Sequence, residues 1–313
     1  MKNTILNLLT VVAMIAPVQA ALTWSFTGSA PAAELAQITS AMNTAVSNYN
    51  TFANYNANIT VAYNPGVPTA QASYQGWIEF GGSRSARVAQ HEINHWLGTG
   101  TYGAWNGNRS GNTWTGVTAK ARLQSYDGAA AVLYADTQHW WPYGWNQDNE
   151  GPADKNIAIT GGLRKDMGLA DGTRGVALDT YKLQNRATGK MLDNYGSTVD
   201  GGTVRQYTSG PSGNQQWQVY MVGTYFKLAC VSGGRRLDSL GNTADGDPIV
   251  QWTNGTSINQ QWTIQATDSG YYRLINRGNG KCLDTGGQLN NGDVMQSWTI
   301  GSSYNQQWKF IKP

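Results

Sequence analysis

The chain has 313 residues, a formal net charge of +3 and few charged side chains, with no basic cluster and no acidic tail, which argues against a nucleic-acid partner. Its length suits two domains, and no segment beyond the first twenty residues is apolar enough to span a bilayer. Abundant Gly with 13 Trp and 16 Tyr suits short strands, many turns and aromatic stacking surfaces.

Residues 1–20 read as a secretory signal: Lys2, an apolar run from Ile5 to Val18, and a small residue at Ala20 for cleavage. The mature chain is then expected to be secreted, with residues 21–170 as one domain, 171–175 as a linker, 176–313 as a second domain, and a monomer overall. Pro31–Asn50 carries Leu35, Ile38, Met42, Ala45 and Tyr49 at helical spacing. Ile59–Tyr63 and Ser73–Phe80 read as strands. A helix follows Gly81-Gly82, capped by Ser83 or Ser85, with Ala86, Ala89, Ile93 and Leu97 toward the core and Gly98 as its stop. Residues 106–115 read as a surface loop, Thr118–Tyr126 as a helix, and Ile157–Met167 as a last helix weakened by Gly161-Gly162.

The second predicted helix holds His91-Glu92-Ile93-Asn94-His95, with two of the three histidines of the chain. Positions i and i+4 share a helix face, so both imidazoles can reach one Zn²⁺ while Glu92 stands beside them as a general base and not a ligand. This H-E-x-x-H helix resembles the zincin metallopeptidases, which implies an α+β zincin-like N-terminal domain, Zn²⁺ as cofactor and a peptide substrate. Continuation to Gly98 resembles the metzincin motif, but Thr101 stands where that family has its third ligand. No Glu lies between Glu92 and Glu150 to serve as a downstream ligand of the gluzincin kind. The remaining histidine, His139, is the expected third ligand, with Asp136, Asp148 and Glu150 in reserve. Asp136 could instead orient a ligand histidine, and His139 could be a packing residue. Tyr143 or Tyr134 is a candidate hydrogen-bond donor to an oxyanion, and Met167 a candidate to lie beneath the metal. Order along the chain, compared with zincins, makes Trp77–Phe80 the edge strand that would pair with an extended substrate.

Internal repetition dominates the rest. Asn214-Gln215-Gln216-Trp217, Asn259-Gln260-Gln261-Trp262 and Asn305-Gln306-Gln307-Trp308 recur at spacings of 45 and 46, and each Trp lies 24 residues after Asp193, Asp238 or Asp284. An aromatic precedes each Asn by seven residues: Tyr207, Trp252 and Trp298. Three units of short strands and Gly turns argue for a closed three-fold architecture. The region closely resembles the ricin-type β-trefoil lectins, which implies an all-β C-terminal domain and a carbohydrate or glycoprotein partner. By that resemblance Trp217, Trp262 and Trp308 are core residues. The sugar contacts would come from Asp193, Tyr207, Asn214 and Gln215; from Asp238, Trp252, Asn259 and Gln260; and from Asp284, Gln296, Trp298, Asn305 and Gln306, with the third repeat closest to the family pattern. Cys230 and Cys282 fall at non-equivalent repeat positions and are expected not to pair.

Together these readings give a secreted zinc-dependent metalloendopeptidase brought to glycans or glycoproteins by a lectin domain. The rivals are a non-enzymatic lectin with a structural metal domain and a glycan-cleaving hydrolase, which would need a carboxylate pair that the sequence does not display.

Overall fold

The computed structural model describes residues 21–313; the signal read in residues 1–20 lies outside them. Strand β1 (Leu22–Phe26) leads into helix α1 (Ala32–Phe52) and strand β2 (Ala57–Tyr63), with β1 and β2 parallel in register from Leu22↔Ala57 to Phe26↔Val61. Strand β3 (Ala70–Ala72) and strand β4 (Trp77–Phe80) follow, and the sheet order is β1-β2-β4-β3. Helix α2 (Ala86–Trp96) then carries the two motif histidines. Ile38, Met42, Ala45 and Tyr49 of α1 share a core with Ile59, Ile78, Phe80 and Ile93, so the apolar stripes read from the sequence meet across one helix–sheet layer.

Two expectations change here. The strand expected over Ser73–Phe80 is broken at its start, because the Ser73 side chain accepts the Trp77 N–H and Gln75 takes a left-handed φ of 51°, closing a turn. The free edge is therefore β3, which pairs antiparallel with β4, and β4 is interior rather than the edge strand. The N-cap of α2 is Ser85, whose side chain accepts the Val88 N–H; Ser83 lies before the helix. Gly98 stops it at a φ of 114°.

The region expected as a loop over 106–115 contains a small hairpin, β5 (Arg109–Ser110) and β6 (Thr113–Trp114), held down by the buried Trp114 indole, which donates to Asp166 Oδ2. Helix α3 (Val117–Asp127) is followed by β7 (Tyr134–Ala135) and β8 (Trp140–Trp141), which complete a second sheet in the order β5-β6-β7-β8. Helix α4 (Ala153–Asp166) starts four residues before the expected Ile157, behind Pro152 with Asp154 in its first turn. Its glycine pair has a packing reason: a Cβ on Gly162 would lie 2.7 Å from the Ala119 Cα, so only glycine lets α3 and α4 touch there. No helix among the described residues is long and apolar enough to cross a membrane.

From Thr180 onward the chain is all β with three short 3-10 turns. Trp217, Trp262 and Trp308 are fully buried and donate to Leu192 O, Leu237 O and Leu283 O at 3.0, 3.0 and 3.1 Å. These matching bonds tie each Leu-Asp strand to its own core indole. The repeats are also tied to one another: Asp200 accepts from Thr253, Asp245 from Thr299, and Asn291 from Thr208. Cys230 and Cys282 are buried and free, in line with their non-equivalent positions.

The segment 171–175, read as a linker, is bound along its length. Asp171 pairs with Arg122, Tyr55 donates to Asp171 O, Asn54 N donates to Gly172 O, and Arg174 N donates to Phe52 O. Below it Met167, Leu163 and Leu123 join Tyr181, Trp217, Phe226 and Ile264 in one apolar cluster, so the two halves share a core.

Candidate functional site

Helix α2 presents His91, Glu92 and His95 to a cleft of about 800 Å³ whose other walls are β3, the β7–β8 turn and the segment 145–150. The ligand-capable atoms of His91, His95 and His139 all lie within 4.8 Å of one another, and no other group of three or more His, Cys, Asp or Glu among the described residues is so disposed. The structure thus brings together the three histidines singled out from the sequence. His91 Nδ1 lies 3.0 Å from Gly144 O and His95 Nδ1 lies 2.6 Å from Thr99 O. A carbonyl can only accept, so both Nδ1 atoms carry the proton and both Nε2 atoms carry lone pairs. Those two Nε2 atoms face each other at 3.0 Å, an arrangement that a cation between them satisfies and that two lone pairs alone do not. Burial holds His91 down to about 3 and His95 down to about 4, which keeps the neutral, ligating form across the physiological range. His139 is half-exposed, and its Nδ1 stands 3.6 Å from Asp136 Oδ2. A pre-oriented three-imidazole set fits a divalent ion that favours nitrogen, with zinc first among these.

Glu92 is buried, and its Oε2 has no hydrogen-bond partner among the described residues. Burial pushes its carboxyl up to about 8, against the opposing pull of Arg87. Such a carboxylate holds and releases a proton near neutrality, and a cation at the histidines would lower that value.

The reserve ligands do other work. Asp136 accepts the Gln138 and His139 N–H groups and shapes the turn that presents His139, the orienting role rather than the ligating one. Asp148 pairs with Arg87, and Glu150 accepts the Asn146 and Gln147 N–H groups, so neither joins the histidine cluster. Thr101 donates to His95 O, consistent with its failure as a ligand. Tyr143 donates to Asp127 and Tyr134 stacks on Trp141; neither lines the cleft, so neither is an oxyanion donor there. Met167 is buried in the core shared with the second half, not beneath the histidines.

Behind α2 lies a set of residues the motif gave no sign of. Gln90 Nε2 donates to Asn156 Oδ1 at 2.9 Å, and Asn156 Nδ2 donates to Tyr143 O at 2.6 Å. The next carbonyl, Gly144 O, is the one that fixes His91. Tyr143 and Trp145 flank it with left-handed φ values of 69° and 59°, so this strained stretch is held by Asn156 on one side and by Arg87, which donates to Trp145 O, on the other. An i, i+4 pair of buried amides on the far side of a helix, Gln90 and Asn94, is the sequence signal that could have found the support.

In the second half, the three predicted platforms are equally exposed: Tyr207 at 39%, Trp252 at 40% and Trp298 at 40%. Asp193, Asp238 and Asp284 are nearly buried, and one oxygen of each accepts the N–H two residues on. Gln215, Gln260 and Gln306 are buried too. Each donates to Thr208 O, Thr253 O or Thr299 O and accepts from Gly210, Gly255 or Gly301, so these amides brace the loop under the platform. Asn214, Asn259 and Asn305 sit in 3-10 turns capped by Ser212, Ser257 and Ser303. Gln296 lies on the strand paired with Asp284. The walled cleft of about 500 Å³ belongs to the first repeat, between Asp193, Tyr207 and Asn214. Tyr195 adds a second aromatic wall there, where the other repeats have Leu240 and Gly286; no reading of the sequence had included it.

Comparison with known proteins agrees with this geometry. Three aromatic platforms over buried Asp residues on a three-fold β scaffold define a carbohydrate-binding β-trefoil. Residues 171–252 and 258–313 match the family described as ricin-type β-trefoil lectin domain-like, and the C-terminal part of the chain is a domain of that family. Solved structures similar to the chain include a designed 3-fold symmetric protein, ThreeFoil (35% identity, 43% of this chain, 99% of that one, TM-score 0.42). An exo-β-1,3-galactanase from Clostridium thermocellum shares 33% identity over 43% of this chain and 30% of its own, TM-score 0.42. The Macrolepiota procera ricin B-like lectin, solved with lactose, shares 24% identity over 43% of this chain and 96% of its own, TM-score 0.39. The chain spans under a third of the galactanase. No curated protein is detectably similar to it.

Proposed function

We propose that the chain is a secreted zinc-dependent endopeptidase whose lectin domain holds it against glycans or glycoproteins. The observation that carries this reading is the trio of histidines within 4.8 Å of one another beside the buried, unpartnered Glu92 Oε2. His91, His95 and His139 would hold the ion, which supplies a Lewis acid for the scissile carbonyl and lowers the pKa of water. Glu92 Oε2 accepts a proton from water in the cleft; that water attacks the peptide carbon, and the proton passes from Glu92 to the departing amine. Thr69 to Ala72 line the cleft along the free edge of β3, where an extended peptide can add as a strand and align its backbone across the histidines. On the lectin side, the platforms cover the C–H face of a sugar while Asp carboxylates accept from hydroxyls.

The test is hydrolysis of denatured casein by the mature protein and by Glu92→Gln, each with and without 1,10-phenanthroline, alongside zinc content. Cleavage that disappears on both treatments, with zinc retained by Glu92→Gln, supports the reading. Bound zinc without cleavage of protein or glycoprotein would favour a lectin with a structural metal site. Release of sugars instead of peptides would make the chain a glycan hydrolase.

A further inference from the structure

The hairpin that supplies His139 also carries an aromatic surface with no task in the fold. Strands β7 and β8 pair Ala135 with Trp140 and Tyr134 with Trp141. Side chains alternate across a strand pair, so the two pairs face opposite ways. Ala135 and Trp140 are buried in the core with Trp105 and Trp114, and they anchor the hairpin. Tyr134 is 42% exposed, and Trp141 lines the metal cleft. Their rings are parallel within 14° with centroids 6.0 Å apart, a separation that displaces them sideways and leaves a terrace of two aromatic faces.

We infer that Tyr134 and Trp141 form a sugar-binding subsite at the rim of the peptidase cleft, with Trp141 on its wall and Tyr134 stacked on Trp141 outside it, distinct from the trefoil platforms, and that the preferred substrate bears a saccharide close to the scissile bond. A flat, open terrace suits the broad C–H face of a pyranose; an apolar peptide side chain would call for an enclosed pocket. Amide and carboxylate groups suited to hydroxyls also line the cleft: Gln138, Asn146, Gln147 and Glu150. Trp141 follows His139 by two residues, so a stacked sugar lies within about 7 Å of the ligand along the strand. The inference takes the cleft as the reaction site, as proposed above, but the binding it describes does not depend on catalysis.

The test uses the full chain with its trefoil platforms removed (Tyr207→Ala, Trp252→Ala, Trp298→Ala) and Glu92→Gln to prevent turnover. The probe is a threonine-rich peptide carrying one O-linked N-acetylgalactosamine, with its sugar-free counterpart, followed by titration calorimetry and saturation-transfer NMR. The expected result is residual preference for the glycosylated probe, reduced about tenfold by Tyr134→Ala, whose exposed ring can be removed without opening the core. Equal affinity for both probes, or a preference indifferent to Tyr134→Ala, would overturn the subsite. In the catalytically intact chain, kcat/KM should favour the glycosylated peptide, and Tyr134→Ala should bring the ratio toward one. Binding preference without any cleavage would sink the peptidase reading and leave the subsite standing. Cleavage at equal rates with no binding preference would do the reverse.

Discussion

Replacing Asn156 by Leu tests whether the residues behind α2 set the candidate metal site. The Asn156 side chain is buried and joins Gln90 Nε2 to Tyr143 O. Leu fills much of the same volume but leaves both partners without it. An orphaned buried polar group costs about 1–3 kcal/mol. Gln90 Nε2 keeps a long contact of 3.5 Å to Ala153 O, so its share falls at the low end, and the total loss of stability should be about 2–4 kcal/mol. Freed from Asn156, the Tyr143–Trp145 stretch can relax its left-handed residues, and Gly144 O no longer meets His91 Nδ1. Loss of such an outer partner weakens metal binding about 10- to 100-fold. The assay is zinc affinity by competition with a fluorescent chelator, paired with thermal melts of the metal-free protein. Thr160→Val is the comparison: it also removes a buried hydroxyl next to α2, bonded to Asn94 Oδ1 and to the Asn156 backbone carbonyl, but it leaves the Asn156 side-chain bond to Tyr143 O in place. If the two variants lose stability and zinc affinity in the same proportion, Asn156 acts on the fold alone and the positioning argument is wrong.

Three more predictions follow from the packing and charges. Gly162→Ala should destabilise the chain by about 1–3 kcal/mol, read as a lower melting temperature, because its methyl collides with the Ala119 backbone where α3 crosses α4. Trp308→Ala should cost about 3–5 kcal/mol of stability, whereas Trp298→Ala, with an exposed ring, should leave the melt nearly unchanged and weaken retention on a glycan array. Acid should loosen the join between the halves. Burial opposes ionisation of Asp171, but the Arg122 guanidinium overrides it and holds the carboxyl below the usual range. The unfolded chain therefore binds that proton at a higher pH than the folded one, so the stabilisation is intact above about pH 4 and fades as pH falls through the lowered value. Urea melts between pH 3 and 6 should show this slope, and Asp171→Asn should flatten it.

What the sequence disclosed is what depends on local spacing. An i, i+4 histidine pair shares a helix face whatever surrounds it, and three copies of one Asp-aromatic-Trp spacing leave little choice of architecture. His139 was found by scarcity, since the chain offers no fourth imidazole. What stayed hidden depends on distant approach. The Ser73 turn that moves the sheet edge from Trp77–Phe80 to Ala70–Ala72 is closed by a side-chain hydrogen bond together with backbone bonds of Ser73 to Trp77 and Gly76 and of Gln75 to the distant Trp96. The glycine pair in α4 looked like a helix defect because its reason, Ala119, lies 43 positions earlier in the chain. Gln215, Gln260 and Gln306 looked like sugar contacts, but their burial shows them bracing loops.

The bound segment 171–175 and the apolar cluster beneath it change how the two halves can cooperate. A flexible tether lets a lectin roam and searches many spacings between anchor and cut. A shared core does not. The distance from the first-repeat cleft to the three histidines is built in, so under the proposed function the molecule would act as a caliper, cutting where a glycan stands at one offset from an accessible backbone and passing over denser or sparser decoration. Changing that offset would require rebuilding the join around Arg122 and Asp171, since merely lengthening the connection would leave the two halves clamped as before.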